Sequence, residues 1–221
     1  MILVHQLFAF LSLLTSIIAF VLSVINSKRK DLFQIKLYII LTTAVAAVDI
    51  FFFFLKYDTP PKIEQAIINI ASIFEISLIY NFLFVRIKRR IFRVWIVIFF
   101  MVYLSICAFI WTMLKTTFYS FAPDIFGIEG LLITIPCLFY IYEILKSDLH
   151  INLNLDSNFI VTCGLLFYFS VSIPNCFSWY ILFYLSPGFD KIIITSNILC
   201  FIILNISFMK AYLCPAPVQQ Q

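Results

Sequence analysis

The sequence predicts an all-α integral membrane protein: a seven-helix bundle in one domain, 1–221, with the N-terminus outside and the C-terminus in the cytoplasm. Three observations predict it. The chain is 63% hydrophobic and 12% charged, with a mean hydropathy of +1.07. Soluble domains sit near 45–50% apolar and about 25% charged, so lipid must be the solvent for most of this surface. The apolar residues gather into seven runs, each close to the roughly 20 residues that cross a hydrocarbon core. Lysine and arginine are placed unevenly, with eleven of fifteen in or beside alternate connections. Such a bias orients basic loops toward the cytoplasm.

The elements follow in order. Span one, 4–26, is entered by His5 and Gln6 and followed by Lys28, Arg29, Lys30 and Lys36. No basic stretch precedes it, so it reads as a spanning helix rather than a cleaved signal. Span two, 35–55, holds the small-residue run Thr42-Thr43-Ala44-Val45-Ala46-Ala47, the best packing surface in the chain. It ends in phenylalanines 51–54, which suit lipid contact and interhelical packing. Asp58-Thr59-Pro60-Pro61 then breaks the chain. Span three, 63–86, ends at Arg86; Lys88, Arg89 and Arg90 connect it to span four, 91–114, with Arg93 in the first turn.

Span five, 121–145, and span six, 158–184, contain Pro136 and Pro174. Each proline frees the carbonyl four residues earlier and can kink its helix; beside Pro174, Ser170 can satisfy the local backbone. Between these spans runs the polar stretch 147–157. Ser186-Pro187-Gly188 turns the chain into span seven, 189–213. The side of the membrane opposite the basic loops receives only Lys56, Lys62, Lys115 and Lys191. Barrel strands alternate every second residue over about ten residues, and these runs do not. With four glycines, no GxxxG contact occurs.

An ionisable group deep in a bilayer costs about 2.5–3.5 kcal/mol on insertion scales. Asp49, Glu75 and Glu129 bear that cost, all in the outer or middle part of the membrane. Ala71, Ser72, Glu75 and Ile79 share a face of span three, and Thr42, Ala46 and Asp49 share one of span two. Both faces are small and weakly polar, so the acids are expected to point inward. In a desolvated setting the neutral acid is favoured, and it can donate to Asn81, Asn175 or Asn197. The trio is open to three readings: interhelical hydrogen bonding, a ligand or cation cavity facing outward, or proton or ion movement. No lysine or arginine sits at mid-membrane to neutralise it.

The net charge of +4 sits in loops facing anionic inner-leaflet lipids. Lys28, Arg29, Lys30, Arg86, Lys88, Arg89, Arg90 and Arg93 are therefore expected to contact lipid or a cytoplasmic partner, with no role for nucleic acid. The six cysteines lie in or at the edges of apolar spans without a CxxC, so neither disulfides nor a metal site is expected. Tyr80, Tyr140, Tyr142 and Tyr168 read as anchors or packing residues. Hydrolase, zinc-protease and phosphate-loop motifs are missing. A Schiff-base lysine in mid-span seven is missing too, since Lys191 and Lys210 lie at its ends. No enzyme activity and no cofactor are expected.

Asn69-Ile70-Ala71-Ser72-Ile73-Phe74-Glu75-Ile76 resembles the third-helix motif of a functionally uncharacterised group of small seven-helix membrane proteins of Bacteroidota. Leu138-Phe139-Tyr140-Ile141-Tyr142-Glu143-Ile144-Leu145-Lys146-Ser147 resembles the end of their fifth helix. Gly164-Leu165-Leu166-Phe167-Tyr168-Phe169-Ser170 resembles the sixth, and the stretch from Leu204-Asn205 to Leu213-Cys214 the seventh. Where that group has a tryptophan after an aromatic at the start of helix six, this chain has Asn158-Phe159-Ile160. The resemblance implies a compact bundle in a bacterial inner membrane, with Glu75 and Glu143 as recurrent acids.

The functional expectation is a sensor or regulatory protein that couples an outer-cavity or lipid ligand to a cytoplasmic partner. A small transporter or oligomeric channel is the alternative, as is a membrane-acting accessory subunit of a stress or defence system. Membrane lipids, a cytoplasmic protein and a second copy of the chain are the partners expected.

Overall fold

The computed structural model describes residues 2–54, 62–113, 123–147, 152–185 and 189–215. Among them are seven long helices and no strand. They are α1 (Ile2–Ile25), α2 (Phe33–Phe54), α3 (Lys62–Arg86), α4 (Arg90–Met113), α5 (Pro123–Leu145), α6 (Ser157–Leu185) and α7 (Phe189–Leu213). Each is long and apolar enough to cross a bilayer, and the protein is an integral membrane protein. Every helix end lies within two residues of the expected span. The breaks expected at Asp58-Thr59-Pro60-Pro61 and Ser186-Pro187-Gly188 lie outside the described residues, as do Lys56, Lys115, His150 and the side chains of His5, Gln6, Lys62 and Lys191.

Local chemistry sets the ends. Asp156 Oδ1 accepts the N–H groups of Asn158 at 2.8 Å and Phe159 at 3.2 Å, capping donors that the first turn of α6 leaves free. Between α1 and α2 the chain turns through Asn26, Ser27 and Lys28 into a single 3-10 turn, Lys30–Leu32. Both prolines sit inside continuous helices. Pro136 cannot bond the carbonyl of Leu132. Tyr80 of α3 donates its hydroxyl to that carbonyl at 2.7 Å instead, so the break in α5 is closed by a neighbouring helix. Near Pro174 the hydroxyl that bonds backbone is that of Ser172, to the Tyr168 carbonyl at 2.9 Å; Ser170, expected there, is exposed.

The helices do not sit in chain order. α1, α2, α3, α5, α6 and α7 close a ring, while α4 lies outside it against α3 and α5. One stripe of α4, Ile96, Tyr103, Cys107 and Ile110, is buried. Phe92 stacks on Phe139 of α5 with ring centroids 4.5 Å apart. The rest of α4 exposes Val94, Val97, Ile98, Met101 and Val102, as a helix bathed in acyl chains would. Elsewhere the fit is tight. A Cβ added at Gly164 on α6 would lie 2.7 Å from Ser207 Cβ on α7, so these two helices approach only because that position has no side chain.

The ring has two chemically distinct ends. α1, α3, α5 and α7 finish at one, where α2, α4 and α6 begin; Lys28, Lys30, Lys88, Arg89, Arg90 and Lys146 are exposed there. Above this basic end lies the main core, including Leu32, Ile35, Ile76, Phe82, Leu83, Leu204 and Phe208, each fully buried.

Candidate functional site

A chamber of about 460 Å³ opens inside the ring, in the half remote from the basic end. Its existence follows from small side chains. Ser12, Thr42, Ala46, Ala71, Ser72 and Ser172 line it from α1, α2, α3 and α6, and none reaches far enough to fill the space between six helices. Phe126 of α5, Tyr168 and Phe169 of α6, and Phe201 of α7 supply larger walls.

Glu75 and Glu129 both line this chamber. The row Ala71, Ser72, Glu75 and Ile79 does face inward, as expected. Glu75 Oε1 accepts the hydroxyl of Tyr38 at 2.6 Å. Tyr38 is fully buried and packs edge-on against Phe208, 5.5 Å between centroids. Glu129 is 1% exposed. Its Oε2 accepts the Ser72 hydroxyl. Tyr103 Oη lies 2.5 Å from Ser72 Oγ, and because the serine proton is given to Glu129, Tyr103 donates to the serine. A hydrogen-bond chain thus runs from the outlying α4 through α3 to α5. Glu129 Oε1 is buried and has no hydrogen-bond partner among the described residues. Among the described residues, no lysine, arginine or histidine lines the chamber.

The other expected members divide. Asn197 lines the chamber, and Asn175 donates to its Oδ1 at 2.8 Å and to Ser196 Oγ at 2.9 Å. Asn175 therefore supports the wall by tying α6 to α7. Asn81 is not part of the site. It is exposed, in a separate cleft with Ser77, Tyr80 and Phe84 against α4. Asp49 lies on α2, but its side chain is outside the described residues. Tyr38 and Tyr103, which hold the two acids, were not legible as site residues. Tyr38 did carry a signal: it precedes Thr42 and Ala46 on the same four-residue row.

At the basic end, Lys28, Lys30, Lys88, Arg89 and Arg90 are exposed, and Arg93 is half-buried with Nε donating to the Ile87 carbonyl at 2.5 Å. Arg29 and Arg86 differ from expectation, because both are spent inside the protein. Arg29 donates to Asp31 at 2.7 Å, to Ser157 Oγ at 2.8 Å and to the Cys214 carbonyl at 2.6 Å. The hydrogen-bonded Asp31 carboxylate raises its pKa further. Arg86 donates to Asn158 Oδ1 at 2.6 Å, to the Phe82 carbonyl at 2.8 Å and to the Asp31 carbonyl. A planar guanidinium with five donors can join several carbonyls at once, so these two arginines lock the basic ends of α2, α3, α6 and α7 together rather than meeting lipid or partner. Glu143 holds the connection between α3 and α4, accepting the backbone N–H groups of Lys88 and Arg89, each at 2.7 Å. A second concavity, about 440 Å³, lies beside Asn26, Lys30, Gln34 and Lys36.

All six cysteines are free thiols, and among the described residues no three His, Cys, Asp or Glu side chains gather into a metal-binding group. No family model, curated protein or solved structure matches the chain.

Proposed function

We propose that this protein is a membrane-embedded sensor or regulator whose interior chamber receives a small ligand. The reading includes a bacterial inner membrane, with the basic end cytoplasmic and the chamber reached from outside or from the lipid. The observation that carries it is the Glu129 carboxyl, buried in a chamber wall with one oxygen unmatched. An acid used only to glue helices would have its oxygens satisfied by neighbours, because a buried polar atom without a partner costs about 1–3 kcal/mol. A ligand group can supply the missing bond.

Two further features support a binding role over passage. Toward the basic end the chamber stops on packed apolar side chains, with Ile76, Ile79 and Phe208 fully buried. The chain Tyr103–Ser72–Glu129 also offers a mechanical route outward. A ligand that rearranges Glu129 shifts the partner of Tyr103 and so biases α4, which begins at exposed Arg90 beside exposed Arg89. That surface suits an acidic cytoplasmic partner. Transport is the second reading, because Pro136 and Pro174 interrupt the backbone ladders of two helices that line the chamber.

Filling the chamber tests the reading. Ala71 is 8% exposed and lines the space. Native mass spectrometry of wild type and Ala71→Phe released from nanodiscs should show a small-molecule adduct on the first alone. Identical spectra would refute the chamber as a ligand site. Flux of the bound species in proteoliposomes would move the assignment to transport.

A further inference from the structure

The polarity of the chamber wall goes further and, resting on the ligand-binding reading above, specifies what it takes. We propose that the ligand is an organic ammonium ion with an apolar body, its N–H groups donated to Glu129 Oε1.

The aliphatic hydroxyls of the wall face the chamber as acceptors. Among the described residues four aliphatic hydroxyls line it, and each has already given away its proton: Ser12 to the Ala9 carbonyl at 2.8 Å, Thr42 to the Tyr38 carbonyl at 3.1 Å, Ser172 to the Tyr168 carbonyl at 2.9 Å, and Ser72 to Glu129. A hydroxyl has one proton and two lone pairs, so these four present only acceptors to the interior. Glu129 Oε1 adds an acceptor with no partner among the described residues, and Glu75 adds a second acid held by Tyr38. Among the described residues no basic side chain lines the wall, and its remaining polar donors are the Asn197 amide and the Tyr168 hydroxyl, so a carboxylate or phosphate ligand would sit beside two acids with no cation to offset its charge. A donor carrying positive charge meets complementary groups instead.

An inorganic cation fits less well. Calcium takes six to eight oxygens and magnesium a full octahedron, whereas no metal-binding group of acids gathers among the described residues. The remaining wall is largely apolar and includes four aromatic rings among the described residues. Tyr168 packs against Phe169 at 4.9 Å and Phe201 at 5.9 Å between centroids, and all three line the chamber. Aromatic faces attract ammonium groups and also shelter the apolar body. The volume of about 460 Å³ falls within the roughly 300–1,000 Å³ usual for small-molecule sites.

The test uses the full-length protein in nanodiscs and three probes of matched shape: 2-phenylethylammonium, 2-phenylethanol and 3-phenylpropionate, with binding followed by calorimetry. The ammonium ion should bind saturably to wild type and at least tenfold more tightly than either analogue. Glu129→Gln, which keeps the shape and removes the charge, should weaken it tenfold or more, while Asn81→Ala, outside the chamber, should bind as wild type does. The wild-type comparison stands even if the glutamine variant folds poorly. Equal binding of the alcohol overturns the ammonium assignment and leaves the chamber a ligand site. Undiminished binding to a folded Glu129→Gln overturns it also. If no probe binds wild type the assignment fails, and the filled-chamber spectra then decide separately whether the chamber is a site at all.

Discussion

Ser72→Ala should cost the bundle far more than Tyr103→Phe, although each removes one oxygen. Ser72 is 2% exposed and stands between two groups, donating to Glu129 Oε2 and accepting from Tyr103 at 2.5 Å. Tyr103→Phe deletes one hydrogen bond and leaves the serine–glutamate bond intact; by membrane-protein averages that is about 0.6 kcal/mol. Ser72→Ala deletes both bonds. It leaves the Tyr103 hydroxyl, on a residue 1% exposed, with the weakly bonding Cys107 thiol, and it strands a carboxyl that is 1% exposed and already lacks a partner on Oε1. At about 1–3 kcal/mol for the stranded carboxyl and about 1 kcal/mol for the bond lost by the tyrosine, the loss is about 2–4 kcal/mol. The double variant Ser72→Ala/Tyr103→Phe no longer carries that under-bonded hydroxyl, so it should be about 1 kcal/mol more stable than Ser72→Ala alone. Reversible unfolding in mixed micelles, followed by the fluorescence of the three tryptophans, gives all four corners of the cycle. A Ser72→Ala loss below about 0.5 kcal/mol, or strict additivity in the double variant, would refute the chain of hydrogen bonds.

Three further outcomes are expected. Gly164→Ala should destabilise by about 1–3 kcal/mol, the usual cost of forcing a methyl group into a packed contact, because its Cβ would lie 2.7 Å from Ser207 Cβ; Ser207→Gly in the same chain should recover most of the loss in thermal unfolding. Arg86→Lys keeps the charge yet replaces the guanidinium fork that bonds Asn158 and the Phe82 and Asp31 carbonyls, so a fall of about 1–3 kcal/mol is expected, and a neutral result would show that charge alone suffices. Glu143→Ala frees the N–H groups of Lys88 and Arg89; hydrogen exchange at those two amides should accelerate while α3 is unaffected, and unchanged exchange would mean that the carboxylate does not hold that connection.

The spans were legible because hydrocarbon thickness dictates run length, and the inward Glu75 was legible because it shares a helical row with Ala71 and Ser72 and with no bulky neighbour. Asn81 could have been excluded on the same geometry: six residues beyond Glu75 at about 100° each, it lies about 120° around α3. The outlying position of α4 was not legible, since seven apolar helices carry no label for their order around a ring. Its buried stripe differs from its lipid face in fit rather than in polarity. Nor could the placement of basic residues separate the arginines that face outward from Arg29 and Arg86. Both kinds obey the same charge bias, and only the carbonyls presented by distant helices decide which guanidinium turns inward. The carbonyl freed by Pro136 was foreseeable, but its partner Tyr80 was not, because that contact depends on how α3 and α5 are rotated.

The central claim is a chamber inside the ring, on the opposite side of the core from the basic loops. Cysteines introduced singly at Ala71, Phe74 and Lys88 test it, using a charged, membrane-impermeant methanethiosulfonate on sealed vesicles, with each adduct located by peptide mass spectrometry. Ala71 faces the chamber, whereas Phe74 is 58% exposed on the outer surface of α3. The account predicts modification of Ala71→Cys from one side of the vesicle, of Lys88→Cys from the other, and none at Phe74→Cys. Modification of Phe74→Cys with Ala71→Cys silent, or of Ala71→Cys and Lys88→Cys from the same side, would contradict it.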